Sequence, residues 1–311
     1  MLIQKPAIPN FVKPIMSVPF KIALHFFLLT ISVLAFGQPE PTLFQPGIIS
    51  DGGVFGLTLS PDSKTALWVK SNGKRDTLII MESTNREGRW MKPVVASFST
   101  RNGEWKDIDP VFCPDGKTVL FQSTRPVQGK PNRTGFDIWM VQKTKNGWTT
   151  PVHLGNVINS DQSESFASMA NNRNIYFMKE NENPAYKSDL YVSEWKNGSY
   201  QTPKNIGAPI NTTERESNPF ISPKEDYLIY FSSSPEGLGE VDLYISFKTK
   251  SGWSSPHNLG HPINSALAEF CPFFHSREKR LYFARQKKGD RMMEDHYSVN
   301  FNPYSYLKKG Q

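Results

Sequence analysis

Residues 107–123 have the sequence DIDPVFCPDGKTVLFQS, in which two short apolar segments flank a tight turn. The turn, Pro114-Asp115-Gly116-Lys117, combines a proline that presets φ with a glycine that tolerates positive φ. The flanking segments, Asp107–Cys113 and Val119–Phe121, are rich in β-branched and aromatic residues and show no helical period. This stretch therefore predicts two antiparallel strands joined by a turn.

The same pattern recurs along the chain at a fixed period. An Asp-x-aromatic strand follows each copy, at intervals of 52, 53 and 53 residues: Asp137-Ile138-Trp139, Asp189-Leu190-Tyr191, Asp242-Leu243-Tyr244 and Asp295-His296-Tyr297. Behind three of them comes a strand that begins at glycine and ends at proline: Gly147–Pro151, Gly198–Pro203 and Gly252–Pro256. A weaker copy around Trp68 precedes them. Four short strands in a unit of about 53 residues are typical of a propeller blade.

The two ends of the chain indicate how the ring closes. The fifth unit stops at Tyr297–Phe301 without an outer strand, whereas Phe44–Ser50 is an unattached copy of an outer-strand ending. We therefore predict an all-β, five-bladed β-propeller of four-stranded antiparallel blades, closed by the N-terminal strand. Six blades are the alternative and would need a degenerate unit. The single propeller domain is predicted over residues 38–311, with blades at about 54–100, 101–160, 161–212, 213–265 and 266–301 plus 43–50.

Residues 1–37 are predicted to be a secretory signal peptide. Three lysines lead into an apolar run from Ile22 to Phe36, and Ala35 and Gly37 place small residues before a cleavage point at Gln38. The run is short for a membrane span, although an uncleaved anchor is the alternative. We expect a periplasmic or secreted protein with no membrane span after signal cleavage.

Charge and cysteine content exclude some classes of function. The signal segment holds three of the 36 basic residues, so 33 remain against 29 acidic ones. This surplus is too small and too scattered for a nucleic-acid-binding surface. Cys113 and Cys271 lie in apolar strand contexts and are expected to be buried thiols rather than a disulfide.

The repeat Asp/Glu-x-x-Pro-x-Phe-x-Pro-Asp-Gly-Lys-x-x-x-Phe-x-Ser, seen best at Asp107–Ser123, resembles the TolB-type, WD40-like β-propeller repeat of bacteria. The resemblance covers about residues 43–301. Ala167 takes the proline position in the third unit, and Asn171-Asn172 and Ser276-Arg277 replace Asp-Gly in the third and fifth. The resemblance implies a periplasmic or secreted propeller that acts as a binding platform.

Four carboxylates occupy one position of successive repeats, three residues before the proline or its equivalent: Asp107, Glu164, Glu216 and Glu269. Because the first strand of a blade lines the central channel, we predict that they meet at the channel mouth as a ligand-binding set. Such oxygen ligands are compatible with weak Ca²⁺ binding, and no other cofactor is expected. The alternative is a structural role, in which each carboxylate accepts hydrogen bonds from backbone N–H groups. Repetition in unit after unit favours that role.

No hydrolase or phosphate-binding motif accompanies the repeats. The chain has no Gly-x-Ser-x-Gly elbow, no His-Glu-x-x-His and no glycine-rich phosphate loop. We therefore predict a monomeric, non-catalytic scaffold that binds a protein or glycan partner of the cell envelope at one face of the ring. The alternative is a five-bladed, glycan-active hydrolase that uses the channel-mouth carboxylates.

Overall fold

A computed structural model describes residues 38–129, 135–181 and 187–310. The predicted signal peptide, residues 1–37, lies outside the described residues. Those described are almost entirely β-strand and loop, and the 3₁₀ helix Pro303–Gly310 follows the last strand. Within them, no helix has the length and hydropathy needed to cross a membrane.

Five small antiparallel sheets confirm the predicted five-bladed propeller. Strand β1 (Thr42–Leu43) belongs to the last blade. The first blade contains β2 (Val54–Leu59), β3 (Thr65–Ser71), β4 (Leu78–Arg86), β5 (Arg89–Trp90) and β6 (Val94–Val95). The second contains β7 (Asp107–Phe112), β8 (Thr118–Ser123), β9 (Asp137–Thr144), β10 (Gly147–Trp148) and β11 (Val152–His153). The third contains β12 (Glu164–Met169), β13 (Ile175–Glu180), β14 (Ser188–Ser193), the hairpin β15 (Trp195–Lys196) and β16 (Ser199–Tyr200), and β17 (Lys204–Asn205). The fourth contains β18 (Glu216–Ile221), β19 (Tyr227–Ser232), β20 (Asp242–Thr249), β21 (Gly252–Trp253) and β22 (His257–Asn258), and the fifth contains β23 (Glu269–His275), β24 (Arg280–Lys287) and β25 (Asp290–Asn300).

The two inner strands of a blade are covered on both faces, because neighbouring blades pack against them. Every residue of β18 and β19 is buried, and the same holds for β7 and β8. This explains why these strands read as apolar runs rather than as an alternation of polar and apolar residues. Tryptophans of the outer strands join neighbouring blades, as the Trp148 indole N–H does by donating to Glu82 of the first blade (2.9 Å).

The N-terminal segment closes the ring in the predicted way. Leu43 pairs with Tyr297 on β25, and the Phe44 N–H donates to the His296 carbonyl (2.8 Å). The strand itself is formed by Thr42–Leu43, just before the predicted segment. Ile49 is fully buried, like the isoleucines at the ends of the other outer strands, Ile158, Ile210 and Ile263. The last blade is therefore the sheet β1-β25-β24-β23, built from both ends of the chain.

Each innermost strand contains a β-bulge that turns one residue towards the channel axis. The pairing with the second strand shifts register at the same place in all five blades. A residue with left-handed backbone geometry lies there in each blade: Gly56 (φ 63°), Asp109 (47°), Phe166 (44°), Asn218 (54°) and Cys271 (50°). At Gly56 a Cβ atom would come within 2.9 Å of Asp109 Oδ1, so only glycine fits at this bulge without displacing the neighbouring blade.

Candidate functional site

A cavity of about 460 Å³ lies on the axis of the propeller, at the end where the innermost strands begin. Residues from all five blades line it. The aromatic part of the wall is formed by Phe55, Phe136, Phe231 and Phe270. The charged part is formed by Arg75, Lys106, Asp109, Glu180, Arg215 and Glu240. A concave site with apolar walls and a few converging polar groups is the usual form of a small-molecule site.

The bulge residues break the symmetry of the ring. Asp109, Asn218 and Cys271 line the cavity, whereas the same position carries glycine in the first blade and Phe166 in the third. A structural role repeated in every blade favours similar residue types, as at the four repeated carboxylates, whereas a ligand needs different groups at different places. The variation at this one position therefore marks the cavity as the candidate functional site.

Asp109 is the most unusual group in the cavity. Its side chain is 5% exposed and accepts a long hydrogen bond from the Cys271 thiol (Sγ to Oδ1, 3.7 Å). Burial raises the pKa of Asp109 to about 7, although the Cys271 hydrogen bond and the Arg75 charge both favour the ionised form. A carboxyl with such a pKa exchanges its proton near neutral pH.

Asn218 holds Cys271 against this carboxyl. The Asn218 Oδ1 accepts hydrogen bonds from the Cys271 N–H (3.0 Å) and from its thiol (3.5 Å). Burial raises the pKa of Cys271 well above its ordinary value, so the thiol stays protonated and is a poor nucleophile. Both cysteines are free and buried, as the sequence predicted.

Two arginines from different blades face the cavity. Arg75 forms an ion pair with the buried Glu294, and its guanidinium carbon lies 4.8 Å from the ring centre of Phe55. Arg215 lies at the rim, with its guanidinium carbon 5.2 Å from the ring centre of Phe231. Burial lowers the pKa of Arg215; Glu180 opposes this effect and the positive charge of Arg75 adds to it.

The structure places the four sequence-predicted carboxylates beside the cavity but not in its wall. Asp107, Glu164, Glu216 and Glu269 are all fully buried. Each accepts a hydrogen bond from a backbone N–H of the loop that enters its blade: Thr100 (2.8 Å), Ser160 (3.0 Å), Thr212 (3.0 Å) and Ser265 (2.9 Å) respectively. In the last three, the hydroxyl of the same residue also donates to the carboxylate. These bonds favour the structural role, and ligand binding by this set stays a prediction.

Basic side chains neutralise two of these carboxylates. Arg125 donates to Asp107 (2.7 Å) and Arg285 to Glu269 (2.7 Å). In the third blade, Lys179 is paired across the strands with Glu164, but its Nζ lies 5.7 Å from the ring centre of Tyr191 and forms no ion pair with Glu164 among the described residues. Burial raises the pKa of Glu216 despite the hydrogen bonds it accepts from Thr212 and Ser232.

Sequence reasoning missed Asp109, Arg75 and Arg215. A signal for Asp109 existed, since its position, two residues after the repeated carboxylate, differs in every repeat within a regular frame. Arg75 lies in a loop of variable length, where the repeat offers no alignment. Arg215 directly precedes the repeated carboxylate Glu216, at the position that Lys106 occupies in the second blade, so the repeat itself could have indicated it. Among the described residues, no group of three His, Cys, Asp or Glu side chains has the geometry to hold a metal ion. Weak Ca²⁺ binding stays an untested prediction.

Known structures share this fold at low sequence identity. A thermostable family-43 glycoside hydrolase superposes with a TM-score of 0.56 at 13% identity, over 82% of this chain and 91% of that one. An α-L-arabinofuranosidase from Lactobacillus brevis gives 0.54 at 12% identity, over 84% and 93%. These likenesses support the five-bladed architecture and, at such identity, the fold alone.

Some of the other similar structures are much longer proteins. The chain spans 34% of a puromycin-hydrolyzing peptidase from Mycobacterium tuberculosis, with a TM-score of 0.45 and 9% identity. No family model matches the sequence, and neither does any curated protein sequence. The resemblance to TolB-type repeats therefore gains no independent support beyond the propeller fold.

Proposed function

We propose that this propeller is glycan-active, with a saccharide bound in the central cavity and a glycosidic bond hydrolysed there. The observation that carries the proposal is Asp109, a buried carboxyl with a pKa near 7 on the wall of a cavity whose lining differs from blade to blade. Phe136 and Phe270, which are partly exposed, offer surfaces for the apolar faces of sugar rings, and the polar groups of the wall offer partners for hydroxyls.

Asp109 has the properties of a general acid. A protonated carboxyl can donate its proton to the glycosidic oxygen as the bond to the anomeric carbon breaks. Water supplies the new hydroxyl, and a second carboxylate accepts the proton that the water loses. Glu180 and Glu240, which line the same cavity, are the candidates for that second role. The two glycosidases of the same fold support this proposal more than they support a non-catalytic one.

Non-catalytic glycan binding is the second candidate. It is favoured by the exposure of Glu180 and Glu240, which lie at the rim while Asp109 alone lies deep. In this case the cavity recognises a saccharide of the cell envelope without turnover. Both candidates agree with the exported location that the predicted signal peptide implies, which we include in the proposal.

One experiment distinguishes hydrolysis from non-catalytic binding. The purified protein is incubated with a panel of plant and bacterial polysaccharides, and newly formed reducing ends are measured. Hydrolysis predicts turnover that Asp109→Asn abolishes while saccharide binding persists. The rate should fall as the pH rises above about 7, because the acid then loses its proton. Asp62→Asn, in an exposed turn of the first blade, is the matched control and should keep full activity. Binding without turnover favours the second candidate, and neither binding nor turnover refutes both.

A further inference from the structure

The central cavity also carries information about the charge of its ligand. Arg75 belongs to the first blade and Arg215 to the fourth, and both line this cavity. The guanidinium of each lies against a phenylalanine ring. Lys106 lines the same wall. Cations that face one another across a cavity repel, and an anion between them removes the repulsion.

The Arg75 guanidinium is held in position, but one of its hydrogen-bond donors has no partner within the described part of the chain. Its terminal nitrogen pairs with Glu294 from the last blade, whereas its Nε–H is buried and has no hydrogen-bond partner among the described residues. A buried donor without a partner costs free energy, which a ligand oxygen would recover. The pairing with Glu294 holds the guanidinium in place before any ligand arrives.

The Arg215 guanidinium has more hydrogen-bond donors available to a ligand. None of the ion pairs among the described residues involves this group, which lies against the ring of Phe231. Glu180 is near enough to favour its charged form without forming an ion pair with it. Guanidinium groups suit carboxylate recognition because their planar fork can donate two parallel hydrogen bonds. Stacking on Phe231 leaves the edge of the fork free to donate.

The floor of the cavity does not oppose an anion. Burial favours the neutral form of Asp109, so this carboxyl adds little repulsion below neutral pH. The other two carboxylates of the cavity, Glu180 and Glu240, are exposed to solvent at the rim, where water screens their charge. The cavity, of about 460 Å³, has room for a sugar ring beside the arginines.

We propose that Arg75 and Arg215 together bind the carboxylate of an acidic sugar, so that the cavity selects uronic acid residues over neutral ones. This inference rests on the proposed saccharide site and deepens it. The arginines act as specificity residues, and they recognise the ligand by a charge that neutral hexoses lack.

The experiment compares galacturonic acid disaccharide with its neutral galactose counterpart by titration calorimetry on the purified protein at low ionic strength. We expect the acidic disaccharide to bind at least about tenfold more tightly, as two charge-assisted hydrogen bonds imply. Arg215→Gln should remove this preference while neutral binding stays unchanged. Arg89→Gln, on the exposed outer strand of the first blade, is the matched control and should behave as wild type.

The possible results separate the inference from the proposal on which it rests. Equal binding of the two disaccharides, or an equal loss of both in Arg215→Gln, overturns the selection of acidic sugars and leaves the saccharide site standing. Absence of binding by either disaccharide, and by the polysaccharide panel, overturns both. Arg215→Lys keeps the charge without the fork, so it should retain only part of the preference. Thermal melts of each variant confirm that it is folded.

Discussion

A buried histidine of the last blade should make the fold lose stability in mild acid. His296 on β25 is fully buried, and neither of its ring nitrogens has a hydrogen-bond partner among the described residues. The equivalent residues of the second, third and fourth blades are Ile138, Leu190 and Leu243, all fully buried as well. Burial lowers the pKa of His296 from 6.5 to about 3.

The size of the effect follows from this difference in pKa. Between pH 3 and 6.5 the unfolded chain binds a proton at this histidine and the folded chain does not, so stability is lost as the pH falls. At pH 5 the expected loss is about 2 kcal/mol. Asp109 acts in the opposite sense: its folded-state pKa is raised, so it contributes stability that is lost as the pH rises from about 4 to 7. Only a comparison with a variant therefore isolates His296.

Urea unfolding at pH 7.5 and pH 5.0, followed by tryptophan fluorescence, provides the measurement. Between these pH values wild type should lose about 2 kcal/mol of unfolding free energy relative to His296→Leu, because Asp109 is common to both proteins and cancels. The converse variant, Leu243→His, places a histidine at the equivalent position of the fourth blade and should lose additional stability in acid. Identical pH dependence of wild type and His296→Leu would refute the reasoning.

Three further predictions concern other parts of the molecule. Asp109→Asn should be more stable than wild type at pH 8, with the difference shrinking towards pH 4, because the variant has no carboxyl to ionise in the interior; urea unfolding at both pH values tests this, and a constant difference would contradict it. Deleting residues 38–50 removes β1 and Ile49 and should lower the melting temperature and broaden the calorimetric transition, since the last blade loses its outer strand; an unchanged sharp transition would show that closure contributes nothing. Glu216→Gln should destabilise the fold by about 1–3 kcal/mol, because one carboxylate oxygen that accepts from Thr212 is replaced by a donor. The thermal melt of the wild type should be the same with Ca²⁺ and with chelator if the carboxylate is purely structural, whereas a Ca²⁺-dependent rise in wild type that Glu216→Gln lacks would support the predicted ion site.

The architecture could be predicted because its causes are local. Turn residues such as Pro114 and Gly116 and the short apolar strands around them recur at a fixed period, and this period specifies the blade. Closure could be predicted from a strand missing at one end and a matching segment at the other. Both inferences use only the order of residues along the chain.

The functional residues could not be assigned because their orientation depends on a backbone irregularity. In a regular strand Asp107 and Asp109 would point to the same face, since side chains two residues apart share a face. The bulge between them sends Asp107 towards the neighbouring loop and Asp109 towards the axis. Phe166 and Cys271 are of types that seldom adopt positive φ, so composition gives no warning of the bulges in the third and fifth blades.

Closure by the N-terminal strand has a consequence for how the protein is made. Thr42 pairs with Ser298, a partner 256 positions later in the chain. Bringing the ends of so long a segment together costs about 5 kcal/mol of chain entropy. Strand β1 is synthesised before its partner β25 and is therefore among the last of the described strands to pair. A chain that crosses a membrane from its N-terminus must keep β1 unpaired until almost the whole chain has crossed. In the proposed exported protein, the ring would be completed as a final, slow event after translocation, and until then the unfinished propeller would expose a sheet edge to its neighbours.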